Sequence, residues 1–191
     1  MPTHARGMLS AFLFLLAVLQ PGMSLAVPGK GRDFPDLRLP QPMTAEDAAY
    51  LGVRPDQPFS LSNVAADFLL LEVMSALCPH CQADAPDMNK VFAAIQEQGL
   101  GKNLKVLGLG VNNTEFELTL FRNKYGVGFP LVMDEEMAVV TQAGVVGTPT
   151  YFLLDLRGQS LLVLHVVEGR MDSPERFLKT IRSATGLENG Q

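Results

Sequence analysis

The chain has 191 residues, a formal net charge of −5 and 47% hydrophobic residues, enough for one domain with a core of its own. It contains no run of basic residues, which argues against nucleic acid and anionic membrane surfaces as partners. Its two cysteines lie together at Cys78 and Cys81, so they cannot staple a scaffold, and so small a loop would stabilise little through chain entropy.

The first segment reads as a targeting sequence. His4 and Arg6 give a weakly basic start, Met8 to Leu19 is almost continuously apolar, and Pro21-Gly22 breaks any helix. Ser24-Leu25-Ala26 places small residues where a signal peptidase cuts. The apolar run is shorter than the ~20 residues a bilayer span needs. Residues 1–26 are therefore expected to be a cleaved signal peptide, leaving an exported chain with no stable membrane insertion. Residues 27–57 are expected to form an N-terminal extension. Within it, Val27 to about Pro42 is proline-rich and extended, and Thr44 caps a short helix ending near Leu51-Gly52, with Asp47 facing back.

From residue 58 to 191 the pattern predicts one domain. Phe59 to Leu61 reads as a short strand, and Asp67 to Met74 as a strand apolar on both faces. Pro79 to about Gln98 has helical apolar spacing at Ala83, Met88, Val91, Phe92 and Ile95, and Gly99 stops it. Leu104 to Val111 is a second buried strand. Thr114 to Glu117 is a capping box opening a helix to about Lys124, with Arg122 and Lys124 on its solvated face. Phe129 to Met133 is a short strand, and Glu135 to Ala143 a short helix. Pro149 to Asp155 and Ser160 to Val167 form an antiparallel hairpin. Ser173-Pro174 starts a last helix, to about Ala184. Alternating β and α ending in a hairpin and a helix predicts an α/β sandwich on a mixed sheet.

Cys78-Pro79-His80-Cys81 lies between a strand and a helix start. There the first thiolate faces unpaired N–H groups and the positive end of the helix, which lowers its pKa. Cys78 is the expected nucleophile, and Cys81, one turn inward, the resolving thiol. His80 as an N–H donor would stabilise the thiolate. Glu72 interrupts an apolar strand; buried, it would hold a raised pKa and could take the proton of Cys81. Static disulfide and metal half-site are the alternatives, although zinc wants four ligands and no second Cys/His cluster exists.

Glu72, six residues ahead of Cys78, then Cys78-Pro79-His80-Cys81, then Gly147-Thr148-Pro149-Thr150 before a strand, resemble the thioredoxin superfamily. The nearest branch is the exported TlpA-like thiol–disulfide oxidoreductases, the ResA and DsbE relatives. Phe129 to Asp134 with the following helix resembles the strand–helix unit this branch inserts before its proline. Leu77 stands where tryptophan is common, and Glu72 and Pro79-His80 resemble thioredoxins or the DsbA oxidases. The resemblance implies a thioredoxin fold and a cis Thr148–Pro149 bond. Thr148, Pro149 and Pro79 would dock an extended substrate beside Cys78.

The expected function is periplasmic thiol–disulfide exchange, reducing disulfides of exported proteins, apocytochrome c included, without an organic cofactor. Its partners would be disulfide- or dithiol-bearing exported proteins and a membrane or periplasmic redox partner. A DsbA-like oxidase or isomerase and a copper-binding metallochaperone are the alternatives. A peroxiredoxin-like peroxidase would carry Thr at the place of Ser75, with a proline ahead of it.

Overall fold

Alternation along one strand sets the layout of the molecule. The computed structural model describes residues 27–145 and 147–188, so the expected signal peptide lies outside the described residues. In chain order the elements are β1 (Asp33–Phe34), β2 (Arg38–Leu39), α1 (Ala45–Leu51), β3 (Phe59–Ser60), β4 (Phe68–Met74), α2 (Pro79–Glu97) and β5 (Leu104–Val111). There follow α3 (Glu115–Tyr125), β6 (Leu131–Asp134), α4 (Ala138–Gln142), β7 (Thr150–Asp155), β8 (Leu161–Glu168) and α5 (Pro174–Thr185).

Six strands form one mixed sheet in the order β1-β8-β7-β4-β5-β6. β4, β5 and β6 run parallel, while β7, β8 and β1 pair antiparallel. This is the thioredoxin fold, with β6 and α4 between α3 and the Thr148–Pro149 loop. Every residue of β4 is buried, because helices cover both faces of the sheet. Phe68, Leu70 and Met74 pack with Met88, Val91 and Ile95 of α2 and Phe177 and Ile181 of α5. Leu69, Leu71 and Val73 point the other way, into a layer with Phe34, Leu51, Val139 and Val140. Side chains two apart on a strand share a face, so Glu72 belongs to the α2 and α5 side.

The helix starts follow the sequence. Thr44 Oγ1 accepts from Asp47 N at 3.0 Å, Thr114 and Glu117 close a capping box, and Ser173 caps α5 with Pro174 at its first position. Met74 and Met88 fill the core.

Four expectations change. The proline-rich lead-in is more than a free extension: β1 pairs with β8, β2 with β3, and Phe34, Leu37 and Leu39 are buried. β6 begins at Leu131 rather than Phe129, since Pro130 has no N–H to give the ladder and offers only its carbonyl, to Gly108 N at 2.9 Å. α4 starts at Ala138, because the Asp134 carboxylate accepts from Val139 N at 3.1 Å and Val140 N at 2.7 Å, leaving Glu135 and Glu136 in the preceding turn. Arg122 is not merely solvated: its guanidinium reaches Asp47 on α1 at 2.9 Å.

Gly52 ends α1 at φ 71°, where its N–H serves Ala48 O and Ala49 O, and a Cβ there would stand 2.4 Å from Ala65 Cβ. Gly52→Ala should lower the unfolding free energy by about 1–2 kcal/mol from the left-handed backbone alone, with the clash adding to it. Urea denaturation of the two proteins checks this.

Candidate redox site

The loop ahead of α2 is held from below. Ala76 N donates to Asn113 Oδ1 and Ala76 O accepts from Gln82 Nε2, each at 2.8 Å. Cys78 N closes the turn on Ser75 O at 3.0 Å. Cys78 is thereby the N-cap of a 19-residue helix, with Pro79 at its first position, where a missing N–H costs nothing. Its sulfur therefore sits at the helix end where N–H groups lack intrahelical partners and the dipole is positive.

Both cysteines are free thiols, so the structure shows the dithiol form. They occupy opposite environments. Cys78 is partly exposed, and its Sγ lies 3.4 Å from Thr148 O. Burial alone would raise its pKa, but hydrogen bonding with the Thr148 side chain and with Cys81 and His80 N–H outweighs it, and the net shift is downward. Cys81 is fully buried, with Ser75 N donating to its Sγ at 3.5 Å. Burial pushes this thiol up to about 12.

Glu72 is the second anomaly. It is 3% exposed on the face of β4 that meets α2. Its antiparallel partner in the register is Tyr151, and directly opposed side chains meet. Tyr151 Oη lies 3.4 Å from Glu72 Oε1 and donates to Asp84 Oδ2 at 2.7 Å. Asp84 is 0% exposed, three residues along α2 from Cys81. It also accepts from Arg170 Nε and Met171 N, both at 3.2 Å. Burial first, and the charge of Asp84 second, push Glu72 up to about 8, against the hydrogen bond with Tyr151. Burial and the neighbouring Glu72 and Asp84 charges also raise Tyr151, which therefore stays a phenol.

The remaining expected residues gather at the mouth of the site. Thr148–Pro149 is cis, and Thr148 is in contact with Cys78. Pro79 and His80 are exposed on the first turn of α2. The backbone N–H of His80 serves Cys78, and among the described residues no hydrogen bond joins its imidazole to a thiol. His165 on β8 is half-buried, and burial lowers its pKa. Among the described residues no group of three His, Cys, Asp or Glu side chains is placed to hold a metal ion. A cavity of about 250 Å³ opens beside Thr148, lined by Val111, Met137, Val140, Thr141 and Val145.

Five residues of this site escape sequence reasoning: Asn113, Gln82, Asp84, Tyr151 and Arg170. Asp84 carries a signal, because it falls on the apolar stripe of α2 between Cys81 and Met88, where an acid is out of place. Tyr151 becomes visible only once the β4–β7 register is known.

A model of the AhpC/TSA family matches residues 31–159. Among curated proteins, the chain is similar to the thiol–disulfide oxidoreductase ResA of Halalkalibacterium halodurans, 25% identical over 126 residues that cover 66% of this chain and 69% of that protein. The ResA of Geobacillus kaustophilus is 27% identical over 124 residues, 64% and 67% of the two chains. Among solved structures, a putative thiol:disulfide interchange protein DsbE from Chlorobium tepidum superposes with a TM-score of 0.63 at 22% identity, covering 82% of this chain and 98% of that one.

The buried acid has a stability consequence of definite sign. Its folded pKa of about 8 exceeds the ordinary 4.5, so between those values the unfolded chain releases a proton that the folded one keeps. The stability that Glu72 contributes is full below pH 4.5 and is lost as pH rises toward 8. Glu72→Gln, neutral throughout, should escape this loss and exceed the wild type by several kcal/mol at pH 8. Denaturant curves at pH 5 and pH 8 check it, and an equal difference at both pH values would contradict it.

Proposed function

Because the chain belongs to the AhpC/TSA family and is a thiol–disulfide oxidoreductase of the ResA and DsbE type, we propose that it reduces disulfides of exported proteins, apocytochrome c among them, by dithiol exchange through Cys78 and Cys81. The Cys78 thiolate attacks one sulfur of the substrate disulfide, forming a mixed disulfide and expelling the first substrate thiolate. Cys81 then gives its proton to Glu72 and attacks Cys78 Sγ. That breaks the mixed disulfide, expels the second substrate thiolate and leaves a Cys78–Cys81 disulfide. Two electrons have passed to the substrate, and a membrane or periplasmic redox partner restores them. The dithiol is itself the redox group, so no organic cofactor takes part.

The opposed environments of the two thiols carry this reading. A nucleophile must be accessible and partly ionised, whereas the resolving thiol must wait as a thiol until the mixed disulfide has formed. Cys78 and Cys81 divide in that way. The same asymmetry supports a reducing role. Strong oxidases of this kind stabilise the reduced form with a thiolate whose pKa is near 3.5. Here the lowering of Cys78 rests on Thr148, the Cys81 side chain and the N–H groups of Cys81 and His80, while Cys81 is a poor thiolate.

Substrate would dock at the mouth of the site. Thr148 and Pro149 offer an edge beside Cys78 for an extended segment, with exposed Pro79 and Leu77 opposite. The apolar cavity next to Thr148 would take a neighbouring side chain. His80 is assigned to tuning the Cys78 thiolate. The proposed location is the periplasm, reached through the signal segment. Among the described residues no helix is long and apolar enough to cross a membrane.

With a dye-labelled peptide disulfide as substrate, Cys78→Ser should abolish turnover and Cys81→Ser should accumulate a covalent adduct visible by intact mass. Glu72→Gln should leave the first thiol release intact and slow the second by about 10²-fold. Turnover surviving in Cys78→Ser would sink the proposal.

A further inference from the structure

Two buried carboxyl groups, Glu72 and Asp84, flank one tyrosine hydroxyl, and their hydrogen-bond inventories are unequal. Asp84 has three donors: Tyr151 Oη, Arg170 Nε and Met171 N. For Glu72 the only hydrogen bond among the described residues is the one to Tyr151, at 3.4 Å. A phenol has a single proton to give, and at 2.7 Å it is given to Asp84. Glu72 then faces a lone pair of Tyr151, which suits a carboxylic acid and repels a carboxylate. When Glu72 ionises, the hydroxyl can turn to it, because Asp84 keeps Arg170 and the Met171 N–H.

We propose that Tyr151 and Asp84, with Arg170 anchoring Asp84, are positioning residues that set when Glu72 holds its proton and when it can accept one from Cys81. The inference rests on the proposed role of Glu72 in the resolving step. None of the three needs to touch substrate.

The surroundings of Glu72 leave few other groups to do this. α2 presents Asp84, and β7 presents Tyr151, which in turn neighbours Cys81. β5 places Gly108 at the register position beside Glu72, so no titratable side chain comes from there. Beyond Tyr151, α5 offers only the Phe177 ring, edge-on at 5.4 Å. The segment after β8 supplies Arg170, half-exposed and paired with the buried Asp84.

The two residues act with opposite sign. Asp84→Asn removes a negative charge near Glu72, so its carboxyl should titrate lower by about one pH unit. Tyr151→Phe removes the only donor to Glu72 among the described residues, so Glu72 should titrate higher. The test is carbon-13 NMR titration of the Glu72 carboxyl in the full dithiol protein, assigned by its loss in Glu72→Gln. Single-turnover release of the second thiol is read alongside. At pH 7 release should be roughly five-fold faster in Asp84→Asn, as the ionised fraction rises from about a tenth to about half, and slower in Tyr151→Phe. A purely structural role would not give opposite signs. Should Asp84→Asn fail to fold, Arg170→Gln leaves the Asp84 charge uncompensated and should move the titration up. Unmoved titrations, or equal shifts in Asp84→Asn and Tyr151→Phe, would overturn the inference. Carboxyl shifts of the expected signs with unchanged release would instead uphold the tuning and remove Glu72 from the resolving step.

Discussion

Glu72 stands opposite Tyr151 across β4 and β7, which puts an acid inside the layer between the sheet and α2. Taking a carboxylate out of water is costly, and the usual escape is to remain protonated. That constraint organises the rest of the site. A second acid, Asp84, is buried within reach and is stabilised by Arg170 and a backbone N–H. The tyrosine between them has one proton for two claimants. The result is a buried acid pair around one phenol, built from residues that α2, β7 and the segment after β8 bring together, and proposed to hold the proton for the thiols.

The thiols above it are separated by a single helical turn yet differ sharply. Cys78 caps the helix and meets solvent; Cys81 points into the core beside Ser75 N. Nothing in Cys-Pro-His-Cys as a string requires that difference. It comes from the anchoring of the loop by Asn113 and Gln82, which fixes the helix start so that one sulfur lies outside and one within. Under the proposed reducing role, the Cys78 thiolate would be stabilised less than in a strong oxidase, so that the pair gives electrons up readily.

Much of this was legible in the sequence because the signals are local. Capping residues at Thr44, Thr114 and Ser173 announced three helices, and the unbroken apolar run before Glu72 announced a central strand. The C-x-x-C at a strand–helix junction pointed to the candidate site, with Cys78 at the helix N-cap. What stayed hidden depends on pairing at long range. Whether residues 33–34 join a sheet edge depends on β8, more than 125 residues away. Tyr151 gains its meaning from register, and Arg170 from a helix whose acid it reaches across 86 positions. The late start of α4 follows from the Asp134 carboxylate capping Val139 and Val140, a competition that composition alone does not resolve.

The central claim is that a lightly stabilised Cys78 thiolate over a high-pKa Cys81 makes this pair a donor of electrons. Equilibration of the Cys78–Cys81 couple in glutathione or dithiothreitol buffers measures that directly as a reduction potential. The account predicts a value near that of thioredoxin, about −270 mV. A value near that of DsbA, about −120 mV, would mean that the reduced form is strongly stabilised and that the protein withdraws electrons from its partners, contrary to the proposal.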